Sequence, residues 1–317
     1  MKEFTVGKND AGQRLDKFIG KTLSTLPPSL MYKAIRMKKI KVNRKRAEPG
    51  TVLREGDSVL CFLPPEFFAP LDDPDDAYLS IKPSLDIVYE DENILLADKK
   101  PGLLSHSDEG GDRNTLIDHI KAYLYQKGEY RPDEENSFAP ALCNRIDRNT
   151  GGIVIAAKTA EALREMNERI KARDVQKYYL CAVHGVPEKH GDTITGYLIK
   201  DRKTNTVSVY DKPGAGRVKI VTEYKVLKTK DGASLLEVHL ITGKTHQIRS
   251  HLAHIGHPLL GDGKYGINRE DKKRGYAYQA LYSYKVKFDF KDGPLSYLNG
   301  REFKVDTDSI RFIEDFS

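Results

Sequence analysis

The stretch "CNRIDRNTGGIVIAAK", residues 143–158, is where a reading of this chain turns. Its second half is an apolar run entered through a Gly-Gly pair, which predicts a strand. Its first half sets one carboxylate, Asp147, between Arg145 and Arg148 and then runs into Asn149 and Thr150, side chains able to bond nearby backbone in a turn. Taken alone, an aspartate in such a turn is more often structural than chemical. The rest of the sequence has to decide whether this carboxylate is held for a reaction.

Outward from that stretch, strand-like runs recur from Asp86 onward: "DIVYE", "NILLADK", "KYYLCAVHG", "RVKIVTEYKVL" and "SLLEVHLI". Helical spacing appears at 115–126, 159–173 and 244–255. Short polar turns such as "KTKDGA" join neighbouring strands as hairpins, so the expected class is α+β, a mostly antiparallel mixed sheet flanked by helices, over residues 83–317. Side chains alternate along a strand, which puts Lys177 and Tyr179 on one face of "KYYLCAVHG". In "TGKTHQIRSHLAHIGHPLLGDGKYG", Thr242 and Gly243 break a strand before a helix expected to project His246, Arg249 and His251. Each piece by itself has a plain alternative: a half-buried aromatic strand, or an arginine at the surface.

The amino-terminal end differs in composition. The chain carries a net charge of +6, yet residues 1–64 hold 14 Lys and Arg against 6 Asp and Glu, a net +8, which leaves −2 for residues 65–317. Leu15, Phe18, Ile19 and Leu23, then Leu30, Met31, Ala34 and Ile35 after the cap candidate Ser29, predict two short helices, followed by a strand, a basic turn and two more strands ending near Leu63. Lys33, Arg36, Lys38, Lys39, Lys41, Arg44, Lys45 and Arg46 include no acid and could form one face, the footprint of a phosphate-backbone binder; an isolated lysine run is otherwise a solvated surface. "PPEFFAPLDDPDDAYLS" then interrupts regular structure with prolines and acids, an expected linker over 65–82; its acids lack the Gly and terminal Glu of a calcium loop.

Several chemistries are set aside. No apolar run reaches membrane-spanning length, and "MKEFTVGKND" lacks an apolar export segment, so a cytoplasmic protein is expected. Cys61, Cys143 and Cys181 lie far apart and read as small buried residues. "GDGKYG" matches a dinucleotide fingerprint literally but follows no strand, and "TGKTH" has Val238 where a phosphate loop needs glycine. His246, His251, His254 and His257 crowd one segment without the glutamate of a zinc-protease helix, so no metal site is assigned. A single nominated carboxylate does not suit glycoside hydrolysis, and no repeat of 20–50 residues is present.

Taken together, "NRIDRNTGGIVIAAK", "KYYLCAVHG" and the 242–266 segment resemble the RluA-type pseudouridine synthases, over most of residues 86–290. "YEDENILLADKKPGLLSH", with Lys100, Pro101, Gly102 and His106, is similar to the segment that precedes them in that family, and residues 12–63 resemble the small S-four-like (α-L) RNA-binding domain often placed in front. The resemblance implies isomerisation of uridine to pseudouridine in structured RNA, large-subunit ribosomal RNA first and transfer RNA second. No cofactor and no metal are implied, and a monomer is expected. It makes Asp147 the catalytic aspartate, Tyr179 the ring that stacks on the target uracil, Arg249 the partner of Asp147, and Arg145 the filler of the gap left by a flipped base. RNA contacts would come from Arg145, Arg148, Lys177, Lys244 and His246, and from the amino-terminal Lys33, Arg36, Lys38, Lys39, Arg44 and Lys45. Three positions depart from the pattern: Asn144 where His is common, Gly151 where Ser is common, and Lys244 where Arg is common. The rival from another class is a catalytically silent RNA-binding or assembly protein.

Overall fold

In the computed structural model, which describes residues 1–68, 78–107, 114–201 and 203–317, the chain forms two separate sheets. Most of the acidic linker stretch, residues 69–77, lies outside the described residues. The smaller sheet runs β1 (Lys2–Thr5), β2 (Ile40–Val42), β3 (Lys45–Arg46) and β4 (Ser58–Cys61) in the antiparallel order β1-β4-β2-β3. Helices α1 (Leu15–Thr22) and α2 (Pro28–Arg36) close its core, in which Leu15, Phe18, Ile19, Met31, Ala34 and Ile35 meet Ile40, Val59 and Cys61. The expected helix–helix–hairpin order lacks β1, whose "KEFT" buries only Phe4 and so carries almost no apolar pattern. Ser29 is not the cap of α2. Pro27 takes that place and Pro28 opens the helix, where its fixed φ and missing N–H cost nothing.

The larger sheet begins with β5 (Ile87–Glu90) and β6 (Ile94–Lys99), followed by α3 (Leu116–Gln126), β7 (Ala141–Leu142), β8 (Gly151–Ala157) and α4 (Ala160–Ala172). It continues through β9 (Val175–His184), β10 (Gly191–Asp201), β11 (Thr206–Tyr210), β12 (Val218–Lys230) and β13 (Ala233–Leu240). Helix α5 (Gln247–His254), β14 (Leu281–Phe288) and β15 (Glu302–Lys304) complete it. The strand order is β11-β10-β12-β13-β9-β14-β8-β6-β5, with β15 on β14 and β7 on β8. Among the described residues every pairing in it is antiparallel except β14 with β8. The mixed, mostly antiparallel sheet expected from the hairpin turns is what forms.

Both faces of the central strands are covered. On β8, Ile153 and Ile155 join the core that holds Met166 of α4, whereas Val154 and Ala156 face Ile120 of α3. On β9, Leu180 and Ala182 take the first face, while Tyr179, Cys181 and Val183 face Ile248 and Leu252 of α5. The period-2 rule therefore sends Tyr179 to the α5 side, and each fully buried Leu or Ile contributes about 1.5–3 kcal/mol. The Gly-Gly pair has a packing cause. A Cβ on Gly151 would lie 2.3 Å from the Tyr282 ring, and one on Gly152, whose φ is +113°, would lie 2.2 Å from the Ser283 carbonyl oxygen. The start of β8 can approach β14 only without side chains there.

A polar seam joins the two sheets' units. The Asp10 carboxylate accepts from Asn136 Nδ2 at 2.7 Å and Ser137 Oγ at 2.6 Å, and Asn9 donates to Glu135 at 2.6 Å while its Oδ1 accepts from the Ala160 amide at 3.1 Å, at the start of α4.

Candidate active site

Two loops meet at the α5 face of the sheet around a cavity of about 520 Å³, and a third supports Arg249 in its wall. The first is the 143–150 turn. Thr150 N donates to the Asp147 carbonyl at 3.0 Å and Ser105 Oγ to the Ile146 carbonyl at 3.2 Å. Asn144 Oδ1 accepts from Ile155 N at 2.8 Å, so this departure from the family pattern ties the turn to β8. Beneath it the Lys99 ammonium is buried and donates to the carbonyls of Lys100, Leu103 and Arg148 at 2.8–3.0 Å. Burial pushes Lys99 down to about 8, against the pull of Asp147 and Asp98. One ammonium, with three donors, thereby holds two loops together.

The second loop, 241–246, enters α5 through His246, whose φ of 53° is left-handed and costly for a side-chain-bearing residue. Gln247 secures that turn: its Oε1 accepts from Thr242 Oγ1 at 2.9 Å and Lys244 N at 3.2 Å, and its Nε2 donates to the Val221 carbonyl at 3.0 Å. The third loop is 260–266. Asp262 is fully buried and receives Arg249 as a fork, Nε to Oδ2 at 2.7 Å and Nη2 to Oδ1 at 2.9 Å. The amides of Lys264 and Tyr265 also donate to Asp262 Oδ1. Burial alone would raise the Asp262 carboxyl, but the Arg249 fork holds it below the usual range.

Arg249 turns its remaining nitrogen, Nη1, to Asp147 Oδ2 at 2.9 Å, inside the 4 Å expected of a partner pair. The guanidinium is itself raised: desolvation opposes its charge, and Asp262 and Asp147 outweigh that cost. His246 Nε2 lies 3.9 Å from the same carboxylate oxygen, with its Nδ1 2.8 Å from the Tyr265 hydroxyl. Burial lowers His246, with Asp147 opposing and Arg249 adding. Tyr179 lines the cavity from β9, and burial pushes its phenol up to about 12. Lys177, two residues earlier on the same face, is lowered by burial.

The cavity therefore gathers Asp147, Tyr179, Arg249, Arg145, Lys177, Lys244 and His246. It does not gather Arg148, whose Nε instead donates to the Gly102 carbonyl at 3.1 Å. Lys33, Arg36, Lys38, Lys39, Arg44 and Lys45 are exposed on the amino-terminal unit, away from the cavity lining. His251 is a correction. It points back into the fold, Nδ1 2.9 Å from Thr222 Oγ1, because on α5 it stands two residues after Arg249 and so on another side of the helix. Cys143 is also not simply buried; it is partly exposed and lines the cavity. Asp262 and Lys99 escaped sequence reasoning. Asp262 sat inside "GDGKYG", weighed only as a nucleotide fingerprint, and Lys99 ended an apolar run in which a lysine reads as a strand terminus.

A family model for RNA pseudouridylate synthase matches residues 93–254, which include the first two loops and Arg249 but not Asp262. The chain belongs to this RNA pseudouridylate synthase family. It is an isomerase that forms pseudouridine in RNA. An uncharacterized RNA pseudouridine synthase of Mycoplasma genitalium is 34% identical over 90% of this chain and 88% of the relative. A ribosomal large subunit pseudouridine synthase C of Haemophilus ducreyi is 31% identical over 90% of this chain and 87% of its own length. The solved structure of human RNA pseudouridylate synthase domain containing 4 shares the fold, with a TM-score of 0.55 at 20% identity over 69% of this chain and 87% of that one.

Proposed function

We propose that this pseudouridine synthase uses Asp147 as its catalytic carboxylate, without a cofactor, on large-subunit ribosomal RNA. One observation carries the reading: Asp147 is met at 2.9 Å by an arginine that a second, fully buried aspartate fixes through two hydrogen bonds. Arg249 occupies Oδ2 and, among the described residues, Oδ1 has no protein donor, which leaves it to meet a substrate atom as nucleophile or base. In the reaction the N1–C1′ bond breaks, the C5–C1′ bond forms, C5 loses a proton and N1 gains one. No electron or atom is exchanged with the surroundings, so the chemistry calls for position and proton handling alone.

Tyr179 offers its ring to a uracil set against Asp147, and Arg145, exposed at the rim, fills the space that the extruded nucleotide vacates; extrusion costs a few kcal/mol. Lys177, Lys244 and His246 hold flanking backbone. Residues 1–64 act as an S-four-like RNA-binding domain through the basic face, 65–82 as a linker and 83–317 as the catalytic domain, working as a monomer. The ribosomal assignment is supported by the name of the Haemophilus relative, a ribosomal large subunit pseudouridine synthase. The proposed place of action is the cytoplasm, where ribosomal RNA is the substrate; no helix among the described residues is long and apolar enough to cross a membrane. Carbodiimide modification and reverse transcription of ribosomal and transfer RNA, from cells with and without the protein, tests the reading. A stop that disappears from large-subunit RNA is expected; stops lost only from transfer RNA would reassign the substrate.

A further inference from the structure

A second cavity, of about 460 Å³, opens on the other side of the 147–150 turn. Asp147 and Thr150 line the first cavity, Asn149 lines the second and Leu281 lines both. Gln279, in the wall of the second, donates to Thr150 Oγ1 in the wall of the first at 3.1 Å. The volume falls within the roughly 300–1,000 Å³ of small-ligand sites.

As in the first cavity, cations gather in its lining although the surrounding region is slightly acidic. Residues 65–317 sum to −2, yet Lys100, Arg274 and Arg311 converge here beside Tyr278, a ring left 44% exposed. Lys100 is shared with Asp86, at 2.5 Å, but Arg274 and Arg311 are in no ion pair among the described residues. Two carboxylates also line the cavity. Asp315 is engaged by the Tyr276 hydroxyl, and Glu314 is exposed. Arg311 packs against Gly275, where a Cβ would lie 2.5 Å from its Nη2; this glycine has a φ of +92° and leaves room for the guanidinium. The Tyr278 hydroxyl is 3.6 Å from the position of a Cβ on Gly102, the residue to which Arg148 ties the 147–150 turn. An exposed aromatic face among unpaired arginines is how proteins hold unpaired nucleotides, the ring taking the base and the cations the phosphate.

We infer that the cavity of Lys100, Arg274, Tyr278 and Arg311 is a second nucleotide subsite, which binds an unpaired residue of the same RNA strand near the target uridine. The turn that carries Asp147 is then a divider around which the strand passes, with one base in each cavity. This rests on the proposed RNA reading of the first cavity. Held at two points, the strand cannot slide past Asp147, and the second nucleotide contributes to the choice of uridine.

The probe is a fluorescein-labelled oligouridylate of about 12 residues, a length that covers one single-strand site, also prepared with 4-thiouridine for photocrosslinking to the full chain. Crosslinked peptides spanning residues 274–282 are expected, and Arg274→Ala with Arg311→Ala, or Tyr278→Ala alone, should weaken binding about tenfold, with Tyr278→Phe restoring it. The double change should also flatten the salt dependence by about one unit, since each single-strand phosphate contributes roughly 0.7. Pseudouridine formation should fall more at limiting than at saturating RNA. Crosslinks confined to residues around Tyr179, with unchanged affinity in both variants, would overturn the subsite. A protein that makes no pseudouridine yet binds oligouridylate through Arg274 and Arg311 would sink the Asp147 reading and leave the subsite standing.

Discussion

The basic face of the amino-terminal unit and the cavity around Asp147 use charge under opposite conditions. From Lys33 to Arg46 eight basic side chains stand on α2, the turn after it and the β2–β3 hairpin; all but Lys41 are exposed, and no acid falls among them in sequence. Around Asp147 a single arginine is shared by two carboxylates, one of them wholly out of water. Exposed cations draw a polyanion by releasing counterions, so each is worth a little and any can be replaced. A buried fork cannot be diluted in that way, because removing one member strands another in a medium that solvates it poorly. Affinity can thus be spread over a surface, whereas chemistry is concentrated where geometry is over-determined.

That contrast can be broken most severely at Asp147. Asp147→Asn should retain the fold and RNA binding and lower pseudouridine formation by more than about 10³-fold, since an amide is neither nucleophile nor base. Turnover above a no-enzyme control in a carbodiimide assay would remove Asp147 from the chemistry. Arg249→Met should come next. It takes away the orienting contact and strands buried Asp262, so single-turnover rates should drop about 10²–10³-fold and thermal unfolding should register a loss of about 3–5 kcal/mol. A variant as stable as the parent would mean that the fork is not what holds this loop.

On the exposed side, replacing Lys38, Lys39, Arg44 and Lys45 together by Ala should cost affinity more than turnover and reduce the slope of log K against log salt by up to about three units. Filter binding across a salt series would measure it, and an unchanged slope would mean that the face meets something other than phosphate. The smallest effect concerns a histidine in neither class. Burial holds His251 down to about 4, so the stability it lends is complete above its ordinary value near 6.5 and is lost as pH falls through 4. Between those values the parent should lose on the order of 3 kcal/mol at most from this group, and His251→Gln should flatten that part of the acid unfolding curve.

Much of the fold was open to local reading. The runs that became β5, β6, β8, β9, β12 and β13, and the spacing that became α3, α4 and α5, are signals of period 2 or 3.6 within a dozen residues. Strands β1, β10 and β11 were not, because they bury little or alternate weakly and are settled by the partners they pair with, and neither was β14, whose "LYSYKVKF" is buried on both faces only because β9 and β8 flank it. In the candidate site the segments carrying Asp147, Tyr179 and Arg249 stood out by their resemblance to those of RluA-type synthases, and the 2.9 Å contact of Arg249 with Asp147 is the one expected of a partner pair.

By itself the sequence determined which residue types are on hand, which face of each strand or helix they occupy, and where positive charge accumulates. Tertiary structure alone decided that Arg249 is gripped by Asp262, that Lys99 supports the turn under Asp147, that His251 faces inward and that Arg274 and Arg311 converge from separate segments. The physical reason is range. Periodicity is imposed by backbone geometry over a few residues, whereas an ion pair or a cavity wall depends on loops whose ends are placed by distant strands, and no local preference records where those strands will lie.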